Sequence, residues 1–442
     1  MKTWYLPILL FFIFNSCQNN NPNGSYTLIK GGTLLDFGDL GSNSNDIEPA
    51  YILINGEKIE KFGKLTGKED FPKSARVIDA SGKYIIPGLI DGFAVLNNQE
   101  YANAFLYMGI TSVIGVDGGR RGPFYHDANP SPDVYMLESI GDDSKSTSEH
   151  LADMQSLFES GYKVILLKYA LKPDQVVAVK NKALELGLAC IGELGHTSYE
   201  EGVENGVEVF VHTTRYSLDA VPKELAQAVA NEPFSDDLES PKWKYYQYLY
   251  SMDMADEQLN SYAKVLGNSK SFLMPTLSLL YLDQPIHKNP WKYPVADILD
   301  EEDINSPADK MTGNHNYDPV IQENYTAMAK QVIQIEKKYR QNGAKYLAGS
   351  ATDVWGTMPG ISLHTELELL SRIGLSNREI IAAATTNFNK AFGWKTGKIG
   401  KDFTANILIL DENPLDKLEA LTRIQTILLK GKVIDRQKLI GK

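Results

Sequence analysis

Cysteine is almost absent from the sequence: the chain of 442 residues has two, Cys17 and Cys190. Cys17 follows an apolar N-terminal run, and Cys190 lies in the apolar segment Leu188–Ile191. If Cys17 is acylated, Cys190 has no partner within the chain, which excludes a disulfide framework. We therefore expect Cys190 to be a small buried hydrophobic residue.

Positive charge is also scarce, because 44 Lys and Arg residues face 56 Asp and Glu residues and leave a net charge of −12. A negative surface repels nucleic-acid phosphates and anionic lipid head groups. The composition thus argues against nucleic acid as a partner. With 43% hydrophobic and 23% charged residues, the chain otherwise has the composition of a globular protein, long enough for a large domain and a smaller one.

Long hydrophobic runs are missing as well. The apolar run Trp4–Phe14 is shorter than the roughly 20 residues that a transmembrane helix needs. It follows a short basic head and ends just before Ser16 and Cys17, a pattern typical of a bacterial lipoprotein signal. We predict a signal peptide over residues 1–16, lipidation at Cys17, a polar tether over 17–25, and an exported protein anchored to a membrane of the bacterial cell envelope. A plain secretory signal is the alternative.

Motifs of two common enzyme classes do not occur. No Gly-rich phosphate loop follows a strand, and no Gly-x-Ser-x-Gly elbow is present. The first absence argues against a doubly wound nucleotide-binding sheet. The second argues against a serine hydrolase.

Both ends of the mature chain have the pattern of short strands joined by turns. Tyr26–Leu35 and Tyr51–Asn55 lie near the N-terminus, and the pair Asn55-Gly56 is a strong hairpin signal. Ala405–Asp411 and Ile424–Lys430 have the same character near the C-terminus. Because a short hairpin is rarely stable alone, we predict that residues 26–88 and 399–440 form one composite β-sandwich domain.

The middle of the chain, residues 89–398, alternates strands with helices. Its strands are near-continuous apolar runs such as Lys163–Lys168, and its helices are amphipathic, as in Pro173–Leu186. Such repeated units predict a parallel sheet that closes into a (β/α)8 TIM-like barrel. The predicted fold class is therefore α/β, with a barrel and a small composite β-sandwich; an open doubly wound sheet is the alternative.

One segment, residues 232–318, breaks this alternation and is rich in Tyr, Trp, Asp and Pro. Long loops of a barrel usually follow its strands and line the site. The segment either closes over the site as a lid or forms an elaborate surface, and the sequence leaves both readings open.

A series of motifs occurs in a fixed order along the mature chain. They are Pro87–Asp91, Gly109–Val113, Lys163–Lys168, Gly206–His212, Met274–Leu277, Ala351–Asp353, Leu363–Leu370 and Ala405–Asp411. Together they resemble the metal-dependent amidohydrolase superfamily, especially its imidazolonepropionase-like and prolidase-like branch. The resemblance covers nearly the whole mature chain and implies a barrel with a metal-dependent hydrolase site.

Several expected metal ligands are replaced. In the family, a His-x-His pair on the first barrel strand binds the metal, but here the two positions are Phe93 and Val95. Side chains two residues apart on a strand share a face, so we expect both to fill the floor of the site. Counting back from His212 places Gly192 at a further ligand position and turns Glu193 to the opposite face. The binuclear site is therefore degenerate.

The resemblance also implies roles for the residues that remain. Asp353 corresponds to a metal ligand and general base, Lys168 to a carbamylated lysine that bridges two metals, and His212 to a metal ligand. We predict Asp353 and Lys168 as catalytic residues, His212 and Asp353 as remnant metal ligands, and His212, Trp355 and Glu193 as substrate-binding residues.

We expect no tightly bound binuclear centre, since catalytic zinc normally has three protein ligands. Without metal, Lys168 is expected to form an ion pair with Asp353. The alternative is one zinc or manganese ion held by His212, Asp353 and either Glu193 or His196.

Two functions remain open. The first is a surface-tethered binder of a small molecule or peptide that no longer hydrolyses by the two-metal mechanism. The second is a hydrolase of carbon–nitrogen bonds in non-peptide or dipeptide-like amides, using one metal or none. In the second, Asp353 would be the general base.

Overall fold

The structure is a computed structural model that describes residues 26–117, 124–213, 218–232, 235 and 237–441. The predicted signal peptide, the tether and the lipidation site Cys17 lie outside the described residues. In the described part of the chain, none of the helices combines the length and hydropathy needed to cross a membrane.

The strands lie in both end segments of the mature chain and in the middle segment between them. In chain order they are β1 Tyr26–Lys30, β2 Thr33–Leu34, β3 Ala50–Asn55, β4 Lys58–Lys64, β5 Arg76–Asp79, β6 Tyr84–Pro87, β7 Leu89–Ala94, β8 Ile110–Val116, β9 Asp133–Ile140, β10 Val164–Leu167, β11 Ala189–Gly192, β12 Val209–Val211, β13 Phe272–Met274, β14 Lys345–Tyr346, β15 Ile407–Leu410, β16 Ile424–Leu429 and β17 Lys432–Ile434.

The α-helices longer than one turn lie mainly between the barrel strands. They are α1 Gln99–Tyr107, α2 Thr147–Glu159, α3 Pro173–Leu186, α4 Tyr199–Glu204, α5 Lys223–Asn231, α6 Pro241–Ser251, α7 Glu257–Asn268, α8 Pro319–Gln341, α9 Ile361–Arg372, α10 Asn377–Ala383 and α11 Thr386–Phe392.

The two ends of the chain meet in a pair of small sheets. One has the strand order β4-β3-β1-β5, and the other has the order β17-β16-β15-β6-β2. In the second sheet, C-terminal β15 pairs antiparallel with N-terminal β6, with Ile409 opposite Ile85. Buried side chains of both sheets, including Ile52 and Ile409, form a separate hydrophobic cluster. This arrangement confirms the predicted composite β-sandwich.

The central sheet has eight parallel strands in the order β14-β13-β12-β11-β10-β9-β8-β7. Backbone hydrogen bonds join its first strand to the segment after its last: Gly92 N donates to Ala348 O at 3.0 Å, and Val95 N donates to Thr352 O at 3.0 Å. The sheet therefore curls into a barrel, which confirms the predicted fold class.

Strand alternation separates the inside of the barrel from its outer face. Val164, Leu166 and Ile191 belong to the cluster inside the barrel. Their neighbours Ile165 and Cys190 belong to the cluster shared with the surrounding helices. Cys190 is fully buried and unpaired, and burial raises the pKa of its thiol. It is the small hydrophobic residue that we expected.

Apart from β13, which is a barrel strand, the described residues of 232–318 form a covering segment that packs against the barrel. Its helix α6 buries Trp243, Tyr245 and Tyr246, and the stretch after β13 buries Tyr281 and Ile304. This packing favours the interpretation that the segment covers the mouth of the barrel over that of an elaborate surface.

Candidate functional site at the barrel mouth

Lys168 and Glu193 lie side by side just beyond the ends of β10 and β11. The parallel register pairs Leu167 with Gly192, so the two residues that follow are also neighbours. Lys168 Nζ lies 2.9 Å from Glu193 Oε2. The Glu193 side chain is 8% exposed and that of Lys168 is 30% exposed. We expected Lys168 to pair with Asp353, and its partner is Glu193 instead.

The expected orientation of Glu193 is also wrong. Leu166 and Ile191 face the barrel interior, so alternation turns Lys168 and Glu193 inward. A Cβ on Gly192 would meet the ring of Phe210 at 3.0 Å, and Phe210 packs on the outer face of the sheet. The inward position on this strand therefore belongs to Glu193.

The backbone at His212 explains the error. His212 has a φ of 54°, in the left-handed region, so it lies beyond the end of β12 and no longer follows strand alternation. Counting residues back from His212 therefore assigned Gly192 and Glu193 to the wrong faces of the barrel wall. The register between β10 and β11, which the sequence alone does not provide, assigns them correctly.

His212 lies between a threonine and a phenylalanine. Its Nδ1 is 2.6 Å from Thr276 Oγ1, and the Thr276 hydroxyl donates to Pro275 O at 2.6 Å. Since a hydroxyl has one proton to donate, His212 Nδ1 carries the proton of this contact and Nε2 is unprotonated in the neutral ring. The ring of Phe93 packs edge-on to His212 with 5.2 Å between centroids.

Asp353 is held by residues that follow the first barrel strand. Its Oδ2 accepts a hydrogen bond from Asn97 Nδ2 at 2.9 Å. The Tyr101 hydroxyl lies 3.0 Å from the same oxygen and 2.9 Å from Asp303 O, so its single proton is shared between the two acceptors. Its carbonyl accepts from Asn305 N at 3.3 Å, which ties the covering segment to the end of the barrel. Asp353 is 5% exposed.

Trp355 forms one wall of a cavity at the mouth. The cavity is small, with a volume of about 50 Å³. Its lining is almost entirely apolar or aromatic, and its polar corner consists of His212 and Thr276. The lining residues are His212, Tyr246, Leu249, Pro275, Thr276, Leu277, Leu279, Leu280, Met328, Val332 and Trp355.

The predicted site residues thus divide into two groups. His212 and Trp355 line the cavity, whereas Lys168, Glu193 and Asp353 are not among its described lining residues. His196, the other candidate ligand, is exposed and lines a different groove with Glu200 and Asp219.

Val95 departs from the expected arrangement too. Phe93 packs with the cluster inside the barrel, while Val95 packs against the larger cluster shared with the helices. The pairing of β7 with β8 shifts register between Asp91 and Ala94. This irregularity interrupts the alternation that placed Phe93 and Val95 on one face.

Known proteins resemble this chain mainly in structure. No protein-family model matches the sequence. The structure of a bottromycin amidohydrolase has a TM-score of 0.67 at 15% identity, covering 94% of this chain and 88% of that one. The structure of a putative prolidase from Bifidobacterium longum has a TM-score of 0.61 at 16% identity, covering 94% and 98%. The chain has the amidohydrolase-superfamily fold.

A curated protein also matches in sequence, over a short stretch. Adenine deaminase 2 of Agrobacterium fabrum is 33% identical over 108 residues, which is 21% of this chain. The match spans 17% of the length of that protein. It agrees with the amidohydrolase fold, but activity has to be argued from the site itself.

The residues at the mouth do not fit the binuclear metal centre typical of the amidohydrolase fold. Phe93 offers no lone pair beside His212, the Lys168 ammonium is paired with Glu193, and Asp353 Oδ2 is in contact with Asn97 and Tyr101. Among the described residues, no three or more His, Cys, Asp or Glu side chains form a group that could hold a metal ion. Whether the protein binds one metal stays a prediction.

Sequence reasoning missed the residues that position the site. Asn97 and Tyr101 contact Asp353 across 256 and 252 positions of the chain. Thr276 was part of a quoted motif, but nothing in the sequence indicated its contact with His212. The one available signal was the position of Asn97 just after the first barrel strand, where polar side chains reach the mouth.

Proposed function

We propose that this protein is a membrane-tethered binder of a small, largely apolar molecule or of a peptide with an apolar side chain, and that it does not perform the two-metal hydrolysis typical of its fold. The observation that carries the proposal is the apolar cavity beside His212. It lies beyond the carboxyl ends of β12 and β13, where barrels of this type bind ligands.

The cavity walls come from several parts of the chain. The stretch after β13 provides Leu277, α6 provides Tyr246, and α8 provides Val332. Burial of apolar ligand surface against such walls contributes about 25 cal/mol per Å². His212 and Thr276 give the cavity one polar corner, which can orient the ligand. Apolar walls with a polar corner are suited to binding.

The contacts of the remaining polar residues support loss of the ancestral chemistry. A carbamate on Lys168 requires a free, nucleophilic amine, but the Lys168 side chain is ion-paired with the Glu193 carboxylate at 2.9 Å. Phe93 adds apolar volume at a position where the resemblance places an imidazole. Phe93 and the Lys168–Glu193 pair lie on different strands, so the change is not confined to one replaced ligand.

A carbon–nitrogen hydrolase is the second candidate. The structural neighbours include proteins described as a prolidase and a bottromycin amidohydrolase, and His212 and Asp353 are both retained. In that case Asp353 would act as general base and His212 as a ligand or an oxyanion stabiliser. One metal, zinc or manganese, or none would take part.

A titration with a neutral apolar dye, N-phenyl-1-naphthylamine, tests the binding function. We expect the dye to fluoresce on binding to wild type and Val332→Phe to weaken binding by about tenfold, because the larger ring fills the cavity. Val177→Phe is the matched control, since Val177 is 39% exposed on α3, and it should bind the dye as wild type does. Equal affinity in both variants would contradict the proposal.

Metal analysis separates the two candidates. The protein lacking residues 1–17 is dialysed, and its zinc and manganese are measured together with the hydrolysis of prolyl dipeptides. Stoichiometric metal that is lost in Asp353→Ala, with hydrolysis lost in parallel, would establish the hydrolase. Dye binding without metal-stimulated hydrolysis is the result that we expect.

A further inference from the structure

A second cavity lies between the covering segment and the N-terminal half of α8. Its volume is about 730 Å³. Asp283, His315, Tyr317 and Gln322 are among the residues that line it. None of its described lining residues is shared with the cavity at the barrel mouth. What it binds is therefore a separate question from the proposed function.

The Asp283 carboxylate is buried in this cavity with half of its hydrogen-bonding capacity unused. Asp283 is 1% exposed, and its Oδ1 accepts a hydrogen bond from Gln322 Nε2 at 3.1 Å. Within the described part of the chain, Oδ2 has no hydrogen-bond partner. No described Lys, Arg or His nitrogen lies within 4.0 Å of the carboxylate either. Burial raises the pKa of Asp283 to about 7, opposed by the Gln322 hydrogen bond.

Aromatic rings surround this carboxylate. His315 stacks on Tyr317 with 4.4 Å between centroids, and Tyr317 packs on Tyr325 at 5.5 Å. Burial is the main cause that raises the pKa of Tyr317, and the nearby Asp283 charge is the next. The same charge acts on Tyr250, whose buried hydroxyl has no partner among the described residues.

His315 does not neutralise Asp283. It is 8% exposed, and its burial, together with the nearby His287, lowers the pKa of the imidazole to about 4. The ring is therefore neutral at physiological pH, and its Nε2 has no hydrogen-bond partner among the described residues. The cavity thus contains a buried carboxyl group with one unpaired oxygen and neutral rings, and no cation among the described residues pairs with that oxygen.

We propose that this cavity binds a protonated amine, whose ammonium group pairs with Asp283 Oδ2 and lies beside the aromatic rings of Tyr317 and His315. A carboxylate with adjacent aromatic faces is the combination that recognises an organic cation, through a charge-assisted hydrogen bond and cation–π contact. The cavity also leaves room for an apolar substituent on the amine.

A bare metal ion fits this cavity less well. Asp283, His287 and His315 all line it, but no group of three or more such side chains in the described ranges could hold a metal ion. A neutral ligand would leave the carboxylate oxygen without a counter-charge, which is costly in a buried site. An organic cation satisfies the carboxylate and uses the rings.

Calorimetric titration with benzylamine and benzyl alcohol tests the proposal on the wild-type protein lacking residues 1–17. The two probes have the same shape and differ in charge. At about pH 8 the Asp283 carboxylate is ionised and the amine is largely protonated, so benzylamine should bind about tenfold more tightly or better. Equal affinity for the two probes, or no binding of benzylamine, would overturn the proposal.

Two variants locate the binding site. Asp283→Asn keeps the shape of the side chain and removes its charge, so it should weaken benzylamine binding by about tenfold and leave benzyl alcohol unchanged. Glu323→Gln is the matched control, because Glu323 lines the same cavity but is exposed, and it should change the affinity less than about twofold. If the two variants behave alike, general surface charge attracts the amine and the proposed pairing is wrong.

These results are independent of the binding function proposed for the barrel mouth. The apolar dye binds beside His212, and Val332→Phe should leave benzylamine binding unchanged. A protein that binds the dye but not the amine retains the first proposal and loses the second. A protein that binds the amine but not the dye loses the first proposal and retains the second.

Discussion

The rings of Phe93 and His212 form a T-shaped pair at the position where the family resemblance places a second imidazole. A phenyl ring has no lone pair to donate, and it adds apolar volume there. The polar residues that match the family motifs, Lys168, His212 and Asp353, each contact another side chain of the protein. These pairs are Lys168 with Glu193, His212 with Thr276, and Asp353 with Asn97 and Tyr101.

Removing the Lys168–Glu193 ion pair should destabilise the fold. In Lys168→Met the nearly buried Glu193 carboxylate loses its ammonium partner, so the free energy of unfolding should fall by about 1–3 kcal/mol. The partial exposure of Lys168, 30%, keeps the expected loss below that of a fully buried pair. Urea denaturation followed by circular dichroism measures it.

Lys182→Met is the control for this measurement. Lys182 Nζ lies 2.8 Å from Glu185 Oε1, but the Glu185 side chain is 68% exposed. Loss of that pair should change the free energy of unfolding by about 0–0.5 kcal/mol. If the two variants lose the same stability, the pair at the mouth is no stronger than a surface contact.

At the scale of elements, a buried acidic network ties β7 to α9 through the ends of two other strands. Ser350 N donates to Asp91 Oδ1 at 2.8 Å, and Ser278 Oγ donates to Ser350 O at 2.7 Å. Ser278 N then donates to Glu366 Oε2 at 2.7 Å. Burial raises the pKa of Asp91 to about 6 and that of Glu366 well above its usual value.

These raised pKa values predict how stability depends on pH. A carboxyl group whose pKa is higher in the folded state stabilises the fold while it is protonated, so its contribution is complete below about pH 4 and declines as pH rises through about 6. Relative to Asp91→Asn, the wild type should lose about 2–3 kcal/mol of unfolding free energy between about pH 4 and pH 8. Urea titrations across this range measure the difference.

Asp402→Asn serves as the control, because Asp402 is exposed and its substitution should leave the pH dependence of the wild type unchanged. Parallel stability curves for wild type and Asp91→Asn would show that Asp91 is not protonated in the folded state.

At the scale of the whole molecule, one chain builds two structural units by returning to its start. Strand β15 pairs with β6, which leads directly into the first barrel strand. The covering segment then adds a second layer over the mouth, and both cavities are lined by its residues. The barrel strands provide the frame, and the inserted segment provides most of the binding surface.

The predicted membrane anchor can be tested at this scale. In a bacterial host grown with labelled palmitate, the full-length protein should incorporate label and Cys17→Ser should not, since the acyl chains attach at that cysteine. Cys190→Ala is the control and should incorporate label as wild type does. An unlabelled wild type that is secreted would favour a plain secretory signal.

The sequence determined most of the frame because the relevant signals are local. Alternating and continuous apolar runs predicted strands such as β10 and β11. The motif order predicted a barrel between two halves of a sheet domain. Strand β9 was missed, because many of its residues are only partly buried and it has no long apolar run.

The tertiary structure decided what the site can bind. Local alternation determines which residues of a strand share a face. Whether that face points into or out of the barrel depended on the register between β10 and β11 and on the point where β12 ends, before His212. The partner of Lys168 and the contacts of Asp353 join distant parts of the chain. The cavity around Asp283 arises from packing between the stretch after β13 and α8. Such contacts depend on the path of the chain in space, and a single sequence has no periodic signal for them.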